Sequence, residues 1–259
     1  MSFLRDKVIL LTGATGGLGK EMVKQFTREG SHFVITDLNE ETLSKLKTDN
    51  PRSKIILSFA SDISTKEGVT KVYETTKSEG IEIDFLINNA GLASIGPFIS
   101  TPEEEWERQY AVNLLAPVRL TKLFLSDMLK RESGHVVNIA SLAAYISSPG
   151  LSTYSSTKHG LRAFGEALYE ELKSTRIRVT NIYPFFTNTP MMQSPRYGLK
   201  GNQQIPEFLL STPEEVIREL IYGIKRDHLH VFPGLVAKTV EFMSKLTPQG
   251  LNVFFEYLK

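Results

Sequence analysis

A tyrosine and a lysine stand four residues apart, Tyr154 and Lys158, in the stretch YSSTK. Residues at that spacing share one face of a helix, so the ammonium can sit beside the phenol. A free phenol ionises at about pH 10 and exchanges protons poorly at neutrality; a neighbouring cation favours the phenolate and brings it closer to operating pH. That is what general acid–base chemistry asks for. Taken alone, the same pair reads as an ordinary helix surface, and the rest of the chain has to decide. Ser141, 13 residues before Tyr154, ends the β-rich run GHVVNIAS with a hydroxyl able to donate to a carbonyl oxygen. A hydrolytic serine would need a strained elbow such as G-x-S-x-G and a histidine base, which NIAS does not provide.

A second chemical feature lies near the N-terminus. The run KVILLTG leads into TGATGGLGK, with glycines at 13, 16, 17 and 19, and then into a helical pattern. Glycine permits positive φ and close approach of backbone N–H groups to a diphosphate, and a helix N-terminus adds favourable partial charge. The spacing G-x-x-x-G-x-G departs from the G-x-G-x-x-G fingerprint, and no Ser or Thr follows Lys20 as a P-loop would require. Asp37 ends the next strand, 24 residues after Gly13. A carboxylate there can accept from both ribose hydroxyls and would repel a 2′-phosphate, and residues 14 to 18 hold no Arg or Lys to neutralise one, so NAD is expected in preference to NADP.

The elements that must position these groups alternate. Short apolar runs (KVILLTG, HFVITD, KIILSFA, IDFLINNAG, GHVVNIAS, RVTNIYP) are separated by helical patterns over 19–29, 40–48, 66–78, 103–130 and 153–174. Such alternation implies right-handed βαβ crossovers, and strands apolar along their whole length imply helices on both faces of a parallel sheet. Pro102 before EEEWE suits a helix start, and Pro117 should kink or loosen the long fourth pattern. STPEEVIRELIYGI reads as a capped helix and HVFPG as a further short strand. No linker or repeat divides the 259 residues, so one domain over 1–259 is expected.

Composition excludes much else. Thirty Lys and Arg against 29 Asp and Glu give a net charge of +1, too little to draw the chain to nucleic acid or to an anionic membrane. Cysteine is absent, which removes disulfides and thiolate chemistry. Of five histidines only His228 and His230 are close in sequence, which is too few for a zinc site, and no metal is expected. The N-terminal apolar run spans only Val8 to Leu11, and no window is long enough to cross a bilayer, so a cytoplasmic protein is expected.

Together with NNAG (Asn88 to Gly91), Asn113 in YAVNLLAP, Ser141 and Tyr154-Ser-Ser-Thr-Lys158, the glycine turn and Asp37 give a chain that resembles the short-chain dehydrogenase/reductase (SDR) family over about residues 5 to 190. The resemblance implies a Rossmann-type doubly wound α/β fold. It also implies a hydride-transferring oxidoreductase acting between a nicotinamide cofactor and a secondary alcohol or carbonyl. Tyr154 would be the acid/base, Ser141 would hold the substrate oxygen, Asn113 would complete a proton relay, and Lys158 would also bind the nicotinamide ribose. The cofactor would contact Gly13, Thr15, Gly16, Gly17, Leu18 and Gly19, then Asp37, Leu38, Asp62, Ile63, Asn89, Ala90 and Gly91, and finally Pro184, Thr187 and Thr189 as well as Tyr154 and Lys158. Phe185 stands where the family usually has glycine, which suggests a reshaped loop or an aromatic ring facing the substrate.

Residues 191–210 read as a substrate-covering flap. The stretch 235–259 reads as an amphipathic extension that packs on the domain or a sister subunit, in preference to shielding a substrate or lying on a membrane. The apolar character around Phe185, Phe186 and the C-terminal tail points to a lipid, steroid-like or acyl substrate. A homodimer or homotetramer is implied by the family. The competing readings are an NADPH-preferring carbonyl reductase and a dinucleotide-sensing protein without turnover.

Overall fold

Among the described residues, seven parallel strands form one sheet in the order β3-β2-β1-β4-β5-β6-β7. The structure is a computed structural model, and it describes residues 3–199, 206 and 209–246, the side chains as far as 243. β1 (Val8–Thr12), β2 (His32–Asp37), β3 (Lys54–Ala60), β4 (Phe85–Asn88), β5 (Gly134–Ile139) and β6 (Ile177–Ile182) fall on the six apolar runs, and β7 (His230–Val231) on HVFPG. Continuous apolarity has the expected cause. Within β1, Ile9 and Leu11 face one core with Met22, Phe26 and Val216, while Leu10 between them faces the other with Leu120 and Leu168.

Helices α1 (Gly17–Glu29), α2 (Glu40–Asp49) and α7 (Pro213–Lys225) build the first layer. On the opposite face lie α3 (Lys66–Ser78), α5 (Ala116–Lys130) and α6 (Ser152–Leu172). The chain is thus a single Rossmann-like domain. α7 opens with a full capping box, Thr212 and Glu215 satisfying each other's backbone N–H groups.

The fourth helical pattern is not one continuous α-helix. α4 (Glu103–Tyr110) passes through a π turn, Ala111–Leu115, into α5. The amide of Ala116 reaches back five residues to the Ala111 carbonyl. Pro117 explains the location, because it withholds the N–H that a regular helix would aim at the Asn113 carbonyl.

The last helix, α8 (Gly234–Leu246), packs Ala237 and Val240 against Leu142 and Ile146, with Val236, Met243, Phe185 and Phe232 around them. The described part of the 235–259 extension therefore packs on its own domain; residues 247–259, with Phe254, Phe255, Tyr257 and Leu258, lie outside the described residues. Of the 191–210 segment, residues 200–205, 207 and 208 also lie outside them.

Candidate active site

The order of the strands reverses between β1 and β4, and there the carboxyl ends of neighbouring strands diverge into a crevice. The glycine turn enters it from β1. Gly13 adopts φ +64°, and a Cβ on it would lie 2.7 Å from the Ala90 Cα. A Cβ on Gly19 would meet the Gly13 carbonyl oxygen at 2.4 Å. Gly16 caps α1 without any side-chain hydrogen bond, and no acidic residue stands in the first turn. Those first N–H groups and the positive end of the helix are open to an anion. This is a backbone cradle that only glycine allows, and it fits the diphosphate of a dinucleotide.

Neighbouring residues brace the cradle. Asp37 Oδ2 accepts from the Thr15 amide at 2.9 Å and its hydroxyl at 2.7 Å, and Oδ1 accepts from the Leu38 amide. Three of the roughly four acceptor positions of the carboxylate are therefore engaged by the protein, leaving about one for a ribose hydroxyl instead of the pair expected from sequence. Asn89 donates from Nδ2 to the Thr12 and Gly13 carbonyls, and the Thr12 hydroxyl accepts from the Asn89 and Ala90 amides. Thr12 was not among the sequence candidates; its position at the end of β1, just before the first glycine, was the available signal.

At the outer end of the crevice a shallow cavity is lined by Leu38, Ala60, Ser61, Asp62, Thr65, Glu67, Gly68 and Lys71. The Asp62 carboxyl is held below its usual range by hydrogen bonding to Ser64. Ile63 does not line this cavity. Its side chain is buried in the core beside Val69 and Leu86, so only its main chain is available to a ligand.

The other end of the crevice holds the proton-transferring candidates. Tyr154 and Lys158 lie on α6, Ser141 follows β5, and Asn113 sits in the π turn. Ser141, whose Oγ accepts from the Ala143 amide, faces Tyr154 closely enough to favour its ionised form. Lys158, 3% exposed, donates to the Ile139 carbonyl at 2.8 Å, with its Nζ 5.7 Å from the Tyr154 ring centre. Asn113 donates to the Leu92 carbonyl and the Thr157 hydroxyl and accepts from the Leu92 amide. A Cβ on Gly91 would lie 3.3 Å from Asn113 Oδ1 and 3.6 Å from Lys158 Nζ, so NNAG and these two polar groups meet at one point.

One expectation is corrected here. Burial pushes the Tyr154 phenol above its ordinary range, and the Ser141 hydroxyl only partly opposes it. Burial also brings Lys158 down to about 8. The Lys158 ammonium is turned to the Ile139 carbonyl, and burial, the larger influence on the phenol, works against its ionised form.

After β6, Pro184 is buried and Phe185 packs on Phe186, ring centres 4.6 Å apart, and into the cluster around α8. The Thr187 and Thr189 hydroxyls are spent on the Phe185 and Thr187 carbonyls. The Thr189 side chain still lies over the glycine turn, 2.6 Å from where a Gly17 Cβ would be. The strap continues to Ile95, which bridges to Arg196. His228 and His230 diverge, His230 toward Tyr183 and His228 toward Tyr222. Among the described residues no group of three or more His, Cys, Asp or Glu is gathered as a metal site.

Fold and crevice together define a dinucleotide-dependent α/β oxidoreductase. The family model described as short chain dehydrogenase matches residues 7–199, and the chain belongs to that family. It is 30% identical over 250 residues to an estradiol 17-beta-dehydrogenase 11 of Macaca fascicularis, covering 94% of this chain and 80% of that protein. It is 30% identical over 270 residues to a retinol dehydrogenase 10-A of Danio rerio, covering 93% and 78%. A short-chain dehydrogenase from Sphingobium yanoikuyae, solved with NADPH, superposes with a TM-score of 0.81 at 25% identity over 95% of each chain. The protein is an NAD(P)-dependent oxidoreductase acting on CH–OH donors. No described helix is long and apolar enough to cross a membrane.

Proposed function

We propose that the chain interconverts an apolar secondary alcohol and its ketone, with NAD preferred. The observation that carries this reading is the meeting of Tyr154 and Ser141, both partly exposed, with the buried Lys158 beside the glycine cradle. The cradle, Asp37, Asn89 to Gly91 and Lys158 would hold the dinucleotide, which when bound supplies hydride-transfer chemistry. In reduction Tyr154 Oη gives its proton to the substrate oxygen while the Ser141 hydroxyl orients that oxygen. A phenol raised by burial is suited to holding this proton until transfer. Lys158 then returns a proton to Tyr154, and Asn113 fixes the Leu92 segment along which the relay passes. Oxidation runs through the same groups in reverse.

Three features support the finer assignments. Asp37 and Glu40, whose carboxylate accepts from the Ala60 amide, put negative charge where a 2′-phosphate would sit. Phe185, Phe186 and the strap give the substrate side an aromatic and aliphatic wall, in keeping with the steroid and retinoid named for the relatives. The short N-terminal apolar run supports a cytoplasmic protein and the family resemblance a homodimer or homotetramer, which fractionation and sedimentation test. NADPH preference is the second reading, favoured by the NADPH bound in the Sphingobium structure.

The decisive experiment assays wild type and Tyr154→Phe on estradiol, retinol and 2-octanol and titrates NADH and NADPH by protein fluorescence. Loss of turnover with NADH binding retained is the expected result. Undiminished turnover in Tyr154→Phe overturns the assignment of the acid, and tighter NADPH binding overturns the cofactor preference.

A further inference from the structure

Arg162 lies on α6 two helical turns beyond Tyr154, on none of the motifs discussed above. Its guanidinium carbon stands 3.7 Å from the centre of the Tyr145 ring, and its Nη1 donates to the Ala144 carbonyl at 3.3 Å. Glu166, one turn further along, takes Nε at 2.7 Å and fixes the plane of the fork. Ala144 and Tyr145 end the short turn, Leu142–Ala144, that begins at Ser141. Tyr145 is gripped on its other sides by Tyr183, edge to face at 4.9 Å, and by Phe232 at 5.4 Å. Tyr183 is in turn held by His230 at 2.9 Å.

Besides its apolar packing on α8, Tyr183 and Phe232, the Ser141 loop has polar attachments of two kinds. On the strand side, the Ala140 and Leu142 amides donate to the Ile182 and Pro184 carbonyls, which ties the loop to β6 through the backbone. On the helix side, the loop is tied by the Arg162 side chain through the Ala144 carbonyl and the Tyr145 ring. A guanidinium does this better than an ammonium, because its planar fork can stack on the ring while donating to two acceptors.

We propose that Arg162, oriented by Glu166, is a positioning residue that tethers the Ser141 loop to α6 and sets the approach of the Ser141 hydroxyl to the Tyr154 phenol. The inference rests on the catalytic reading of Ser141 and Tyr154 given above. Because the β6 attachment is independent of Arg162, losing the tether leaves the fold in place and loosens one distance. Misplacing a reacting group by a fraction of an ångström to one ångström is costly to rate and indifferent to a remote cofactor site.

The test compares wild type, Arg162→Met, Arg162→Lys, Glu166→Gln and Tyr154→Phe, using whichever of estradiol, retinol or 2-octanol is turned over fastest. Arg162→Met keeps the apolar stem and should lower kcat about 10- to 100-fold with the NADH dissociation constant unchanged within about twofold. Arg162→Lys should recover part of the loss, and Glu166→Gln should fall about threefold, as the fork loses its orientation. Loss of the Ser141 contact should also move the rising limb of alcohol oxidation to higher pH, a change that a general loss of folded protein does not produce. A kcat in Arg162→Met within about twofold of wild type, beside an inactive Tyr154→Phe, overturns the tether alone. An active Tyr154→Phe overturns the catalytic reading and the tether with it. Should Arg162→Met fail to fold, Glu166→Gln decides: an unchanged kcat and pH limb rejects the proposal.

Discussion

The two sides of the crevice, the glycine turn and the loop after β6 whose Thr189 lies over it, are built on opposite principles. At residues 13–19 the surface is backbone, and a Cβ added at Gly13 or Gly19 would strike main-chain atoms of Ala90 or of Gly13 and Ala14. At residues 184–189 the side chains are the surface, with Phe185 and Phe186 packed on each other where the family usually has a glycine. NAD and NADP share one diphosphate, so it can be met by backbone alone. An alcohol substrate differs from member to member, so its pocket has to be made of exchangeable volume. The first side tolerates almost no substitution; the second is where specificity can change.

Four changes break or sharpen that contrast. Lys158→Met touches the point where the two sides meet and should cost about 10²- to 10⁴-fold in kcat/KM together with a weaker NADH titration. Gly19→Ala forces a methyl against the Gly13 and Ala14 carbonyls, both backbone. It should abolish NADH binding and cost on the order of 3 kcal/mol, visible as a lowered melting temperature. Phe185→Gly, on the other side, removes a half-buried ring from the α8 cluster and should cost about 2 kcal/mol while leaving NADH affinity within about twofold. Its effect should appear instead as a changed ranking of estradiol, retinol and 2-octanol; a collapse of cofactor binding would show that this side, too, is a cofactor surface. The mildest change, Asp37→Ser, should shift the NADH-to-NADPH affinity ratio by about tenfold toward NADPH, the scale of one charged contact. Part of that variant's effect falls on Thr15, which loses both hydrogen bonds to the carboxylate.

Much of this was legible in the sequence where the cause is local. The strands announced themselves because both faces are covered, and Pro117 marked the irregular turn because a missing N–H acts at its own position. Tyr154 and Lys158 share a helix, so their spacing alone brings them together. The direction of the Tyr154 shift was not legible. It depends on how deeply α6 is sunk and on which carbonyl Lys158 finds, Ile139 in a different element. The second duty of Asp37, holding Thr15, was hidden for the same reason, since it arises only when β2 lies beside β1. Arg162 carried no signal at all: its partners Ala144 and Tyr145 are met across a turn whose path the chain does not spell out.

The π turn at Ala111–Leu115 adds roughly one residue's worth of winding to a rod that runs from Glu103 to Lys130. Wound at 3.6 residues per turn throughout, everything beyond Leu115 would sit about 100° further round the axis. Leu120 and Phe124 would then leave the sheet, or Asn113 would leave Leu92; both cannot be satisfied by a regular helix. That single surplus residue clocks the rod, letting one half obey the core while the other obeys the chemistry.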